Sequence, residues 1–108
     1  MELVELKVSD KEKSVKYKLM SSGKEVAHGY IFSRETNPIE IYVEKDYQSN
    51  GYGKLLFNSL VNVLKKKGLK GLIFQLDESN FKIINIIKKY GAVEISRNMT
   101  EIKFLLKL

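Results

Sequence analysis

Polar and apolar residues alternate through the first part of the chain and take a helical spacing in the second. Val4, Leu6 and Val8 alternate with Glu5 and Lys7, and Val15, Tyr17 and Leu19 alternate with Lys16 and Lys18. After the turn-forming run Ser21-Ser22-Gly23-Lys24, the residues Val26, His28, Tyr30 and Phe32 alternate with Ala27, Gly29 and Ile31. Asn37-Pro38 interrupts the chain, and Ile39, Ile41 and Val43 then alternate with Glu40, Tyr42 and Glu44. Successive side chains of a strand point to opposite faces, so a period of two predicts four strands, the middle two joined as a hairpin.

From Lys54 to Lys67 the apolar positions Leu56, Phe57, Leu60, Val61 and Leu64 recur as they do on one side of a helix, and Gly68 is suited to end it. Leu72 to Leu76 is a short apolar run bounded by Gly71 and Asp77, which reads as a buried strand. A second helix is expected from Asn80 to Tyr90, with Ile83, Ile84, Ile87 and Tyr90 on one side and Gly91 after it. Ala92 to Arg97 and Glu101 to Leu108 read as a closing hairpin. The order is β-β-β-β-α-β-α-β-β. It predicts an α/β (α+β) fold, a single mixed sheet of about seven strands with two helices, in one domain spanning residues 1–108. If the later strands are parallel and the sheet advances in one direction, right-handed crossovers place both helices on one face. Only Ser9 to Lys13 separate the first two strands, so the other face is expected to be partly open or covered by a partner.

Composition narrows the chemistry. The 108 residues include no cysteine and one histidine, His28, which removes thiolate metal sites, cysteine nucleophiles and multi-histidine zinc sites. No apolar run approaches the roughly 20 residues of a membrane span. The N-terminus lacks the pattern of a secretory signal, so a soluble, cytoplasmic protein is expected. A net charge of +6 suits an anionic partner. Nearly all of the positive charge is lysine, with Arg34 and Arg97 the only arginines. This counts against sequence-specific reading of nucleic acid, which favours the arginine fork.

The junction between the fourth strand and the first helix reads Val43-Glu-Lys-Asp-Tyr-Gln48-Ser-Asn-Gly51-Tyr-Gly53-Lys54. Glycines there allow unusual dihedrals and close approach of a ligand, and the unpaired amides of a helix's first turn carry partial positive charge. Such a junction is a phosphate cradle. Its spacing matches neither the Walker loop nor the dinucleotide fingerprint.

Gln48-x-x-Gly51-x-Gly53 resembles the pyrophosphate-binding signature (Gln/Arg-x-x-Gly-x-Gly/Ala) of the GNAT superfamily, the acyl-CoA-dependent N-acetyltransferases. Val43 stands where that family's fourth strand ends, and Asn80 followed by Gly91 matches its second signature. The element order agrees from the hairpin to Leu108. The resemblance implies that backbone amides around Gln48, Ser49, Asn50, Gly51, Tyr52, Gly53 and Lys54 hold the CoA pyrophosphate. It also implies that the strand near Tyr42 and Val43, between diverging fourth and fifth strands, pairs with the pantetheine arm, and that Asn80 hydrogen-bonds that arm. Acetyl-CoA is the implied co-substrate, with no metal. An amine, such as a protein lysine or N-terminus, would attack the thioester directly. A lysine amine has a pKa of about 10.4 and must first lose a proton. Glu40 and Glu44, both expected on the uncovered side, are candidate acceptors, with Glu40 more central in its strand. Two departures from the family stand out. The helices that usually follow the first strand have no room here, which leaves the acceptor site open. The position of the family's general-acid tyrosine is Ile87, with Tyr90 one helical turn further on.

Plainer readings accompany each feature. Asn80 is also placed to be a helix N-cap, Glu40 and Glu44 to be solvated strand charges, and His28 to be a structural residue. The alternative functions are a catalytically inactive GNAT-like binding or regulatory module, motivated by Ile87, and a basic nucleic-acid-binding domain. Association into a homodimer is compatible with either.

Overall fold

The computed structural model describes residues 2–7 and 13–108. The expected continuation of the first strand to Val8, and the connection that follows as far as Glu12, lie outside the described residues. Among the described residues the element order is the predicted one, with a single 3₁₀ turn, Lys45–Tyr47, added after the fourth strand. The chain divides into two compact units, residues 1–33 with 39–63 and residues 34–38 with 64–108.

The first unit is an antiparallel sheet of β1 (Glu2–Lys7), β2 (Ser14–Ser21), β3 (Lys24–Phe32) and β4 (Ile39–Val43), in that order across the sheet. Ser22 and Gly23 both have positive φ, 51° and 77°, as a two-residue hairpin turn requires to match the twist of its strands. Helix α1 (Tyr52–Lys66) begins in this unit. Its predicted stripe is buried throughout, from Leu56 and Phe57 to Leu64. The helix packs over Ala27, Gly29 and Ile31. A Cβ on Gly29 would lie 2.6 Å from the Glu40 carbonyl oxygen of β4 and 3.1 Å from Leu60 Cδ1 of the helix, so the neighbouring strand's backbone is what restricts the position to glycine. His28, Tyr30 and Phe32 alternate onto the other side and are only half-buried.

The second unit holds β5 (Gly71–Asp77), α2 (Phe81–Lys89), β6 (Val93–Asn98) and β7 (Glu101–Lys107). The expectation of one continuous sheet is corrected here: the strands form two hydrogen-bonded sheets, the second ordered β5-β7-β6. The closing hairpin explains the order. It returns β7 antiparallel to β6, and β7 then pairs along all of β5, with Leu72 opposite Leu106, Phe74 opposite Phe104 and Leu76 opposite Ile102. These mostly buried pairs occupy the place beside β5 that a steadily advancing sheet would have given to β6.

Both predicted glycine stops are present. Gly68 and Gly91 adopt φ of 90° and 99°. After α1, the Gly68 and Leu69 amides donate back to Lys65 and Leu64 carbonyls; after α2, the Gly91 and Ala92 amides donate to Lys88 and Ile87. This is the Schellman arrangement, which satisfies carbonyls left open at a helix end.

Candidate functional site

The bend that leads into α1 is built from its own backbone. Ser49 and Gly51 both lie in the left-handed region, with φ of 66° and 80°. The turn thus folds back twice around Asn50. The Asn50 carboxamide donates to the carbonyls of Tyr47 and Gln48, each at 3.2 Å, and Gln48 Nε2 donates to the Val43 carbonyl at 3.4 Å. Those side chains therefore brace carbonyls. Residues 48–51 are exposed. Leu55 N donates to the Gly51 carbonyl at 3.1 Å, the first bond of the helix. The helix starts at Tyr52, two residues before the predicted Lys54, so Gly53 sits inside its first turn. The amides of Tyr52, Gly53 and Lys54 are the ones that a helix leaves without intrahelical acceptors. No acidic side chain lies in this turn to oppose an anion, and Lys54 adds a cation.

On β4, Glu40 and Tyr42 come together. The Tyr42 hydroxyl donates to Glu40 Oε1 at 2.8 Å. That bond, then burial, raises the hydroxyl's pKa above the ordinary tyrosine value. Both residues lie on the side of the sheet away from α1, since Tyr30 is opposite Glu40 and His28 opposite Tyr42. Glu44 follows β4, held by its amide to the Val26 carbonyl at 3.1 Å.

One grouping was not foreseen. His28 Nδ1 lies 3.5 Å from Glu44 Oε1 and 3.6 Å from Glu25 Oε2, and is itself buried without a hydrogen-bond partner. Glu25, His28 and Glu44 each bring one atom able to ligate a metal to within 4.8 Å of the others. Lys18 already lies 3.3 Å from Glu25. Burial works against the charge on Glu25, but the Lys18 ammonium, with His28, holds its carboxyl below the ordinary value. Glu25 and His28 stand three apart on β3, where an irregularity in the pairing with Leu19 and Met20 breaks the alternation, and Glu44 reaches them from the end of the neighbouring strand.

In the second unit, Asn80 occupies the N-cap of α2 yet makes no side-chain capping bond, and its side chain is exposed. Ile87 is wholly buried. Tyr90 caps the C-terminus through its backbone, and burial raises the pKa of its hydroxyl.

A model of the acetyltransferase (GNAT) family matches residues 16–92, a span that contains the bend, Asn80 and both helices. The chain belongs to the GNAT family. Solved structures share the GNAT fold at low identity. An acetyltransferase from Bacillus subtilis, solved in complex with CoA, is 13% identical, with a TM-score of 0.75 over 98% of this chain and 97% of that one. A domain from Methanocaldococcus jannaschii is 18% identical, with a TM-score of 0.74 over 92% of this chain and 70% of that one. The PaiA N-acetyltransferase of Thermoplasma acidophilum, also solved with coenzyme A, is 13% identical, with a TM-score of 0.71 over 89% of this chain and 62% of that one. No curated protein is a significant match. Among the described residues no helix is long and apolar enough to cross a membrane.

Proposed function

We propose that this GNAT protein is an acyl-CoA-dependent N-acetyltransferase that moves the acetyl group of acetyl-CoA to an amine by direct attack. The observation that supports it most is the exposed bend before α1, where two left-handed residues lead into a first helical turn that holds no acids and whose amides lack intrahelical acceptors. In this reading the amides from Ser49 to Lys54, with Gln48 bracing the turn, hold the CoA pyrophosphate. The β4 backbone at Tyr42 and Val43, and the Asn80 carboxamide, hold the pantetheine arm. Acetyl-CoA supplies an acyl group already activated for attack.

The residues of this chain handle the protons. Glu40 is the candidate that accepts the proton of the incoming ammonium, and Glu44 is the second candidate. An amide of β4 would stabilise the oxyanion. Tyr90 is the candidate proton donor to the departing thiolate. The reading takes residues 1–108 as one domain working in the cytoplasm.

Calorimetry tests the cofactor half. Acetyl-CoA should bind, and Gly51→Glu or Gly53→Glu should abolish binding by placing a carboxylate where the diphosphate lies. No heat at millimolar acetyl-CoA would reject the proposal. The buried Ile87 favours a second reading, a GNAT-fold module that binds CoA without turnover. Thioester consumption with a panel of polyamines and lysine peptides separates the two.

A further inference from the structure

The face of β3 and β4 turned away from α1 carries a corner of aromatic rings. His28 stacks on Tyr42, with centroids 5.2 Å apart and planes at 22°. Tyr30 stands almost perpendicular to both, 5.9 Å from His28 and 6.3 Å from Tyr42. Phe32 stacks on Tyr30 at 5.8 Å. Tyr42 is 49% exposed although it is large and aromatic. Ring faces carry negative charge density and attract cations.

Two further observations say what such a corner takes. The Lys16 ammonium already lies 5.8 Å from the centre of the Tyr30 ring, so a slim alkyl chain ending in a cation is accommodated on this face. Glu40, opposite Tyr30 in the ladder and bonded to the Tyr42 hydroxyl, sets a carboxylate beside the rings. Glu44, just after β4, lies beside His28 at 3.5 Å, and Lys18, opposite His28, is already paired with Glu25 at 3.3 Å. Rings give an ammonium its apolar flank, and the carboxylate gives it a counter-charge.

We infer that the corner formed by Tyr30, Tyr42 and Glu40, backed by His28, binds an unbranched alkylammonium group, and that this is the class of amine presented for acetylation. The second half rests on the transferase reading above; the first does not. A free polyamine and a protein lysine side chain carry the same group.

Two-dimensional NMR of the full chain without acetyl-CoA tests the site, with n-butylammonium as probe and n-butanol as the uncharged control. Butylammonium should give saturable shifts centred on Tyr30, Glu40 and Tyr42 in about the millimolar range, and butanol should not. Tyr42→Leu, which removes the ring from an exposed position, should weaken binding about fivefold or more, whereas Tyr42→Phe, which keeps the ring, should weaken it about twofold at most. Lys16→Ala removes the resident cation and should leave binding unchanged or tighter. Equal shifts from butanol and butylammonium, or equal binding by Tyr42→Leu and the wild type, would overturn the site. If butylammonium binds as described but acetyl-CoA does not bind, the ammonium site stands and the transferase reading falls. Spermidine and a capped Gly-Lys-Gly peptide, titrated side by side, show which source of the group fits.

Discussion

The side chain of Asn37 takes both backbone hydrogen bonds of Gln75. Asn37 Oδ1 accepts from the Gln75 amide, and Asn37 Nδ2 donates to the Gln75 carbonyl, each at 2.9 Å. Two residues earlier on β5, the Ile73 carbonyl accepts from the Asn37 amide, and Thr36 bridges to Ile73 in parallel. A carboxamide thus continues a ladder along β5 where no strand continues it. Asn37 also holds φ at 52°, a conformation that asparagine tolerates better than most residues.

Asn37→Ala should therefore cost more than its one side chain suggests. It leaves two part-buried backbone groups without partners, each worth about 1–3 kcal/mol, and raises the cost of the positive φ. We expect a lowered midpoint in urea with an unchanged slope. Asn37→Asp should fall between, because it keeps the acceptor and loses the donor. A midpoint for Asn37→Ala equal to the wild type would show that water replaces both bonds.

Gly29→Ala should destabilise by about 1–3 kcal/mol, the usual range for overpacking. The clash at 2.6 Å is with the Glu40 backbone and cannot be relieved by turning a side chain. Thermal unfolding followed by circular dichroism measures the effect. A further loss on Gly29→Val would confirm that space sets the cost.

At Gly51 the cause differs. A Cβ there meets nothing within 4 Å, but φ is 80°. Gly51→Ala should cost about 1–2 kcal/mol through backbone conformation alone, while spectra outside the bend stay unchanged. Gly51→Asn should recover part of that loss, since asparagine visits this region more readily. Equal stability of the alanine and asparagine variants would point to a cause other than φ.

Asp77 gives the hairpin turn an acid-sensitive anchor. Its carboxylate accepts from the Ser79 amide at 2.9 Å and from the Thr100 hydroxyl at 2.7 Å. The bonds to Ser79 and then Thr100 lower its pKa below the ordinary value. A lowered carboxyl pKa adds stability that is complete above the ordinary value of about 3.9 and is lost as pH falls through the folded value. Hydrogen exchange at Ser79 and Glu78 should therefore quicken below about pH 4 relative to its intrinsic rate. Asp77→Asn should show the quickened exchange at neutral pH and a flat profile. A wild-type profile that is flat through the same window would remove the anchor.

The helices were the most legible part of the sequence. The stripe from Leu56 to Leu64 and the stops at Gly68 and Gly91 follow from periodicity and from glycine's conformational freedom, which are local properties. The start of α1 was less legible, because Tyr52 and Gly53 do not announce a first turn and the bend's geometry decides it. Strand β3 hid its orientation: both of its faces are apolar, so alternation alone does not say that the helix lies on the side of Ala27, Gly29 and Ile31. The order β5-β7-β6 depends on where β7 pairs, a long-range choice that the alternation of Ile102, Phe104 and Leu106 leaves open. The glycine bend was readable from Gln48, Gly51 and Gly53. The meeting of His28 with Glu25 and Glu44 was not, because a register shift between Glu25 and Ala27 breaks the alternation of β3 and Glu44 joins from the end of the neighbouring strand.

The bend before α1 is held from within, by the Asn50 carboxamide on two carbonyls and by Leu55 on Gly51. In the proposed reading, a diphosphate arriving there meets a backbone already held in one shape, with little disorder left to quench. Mutations that slacken these internal ties should then shorten its residence while leaving its rate of capture almost untouched.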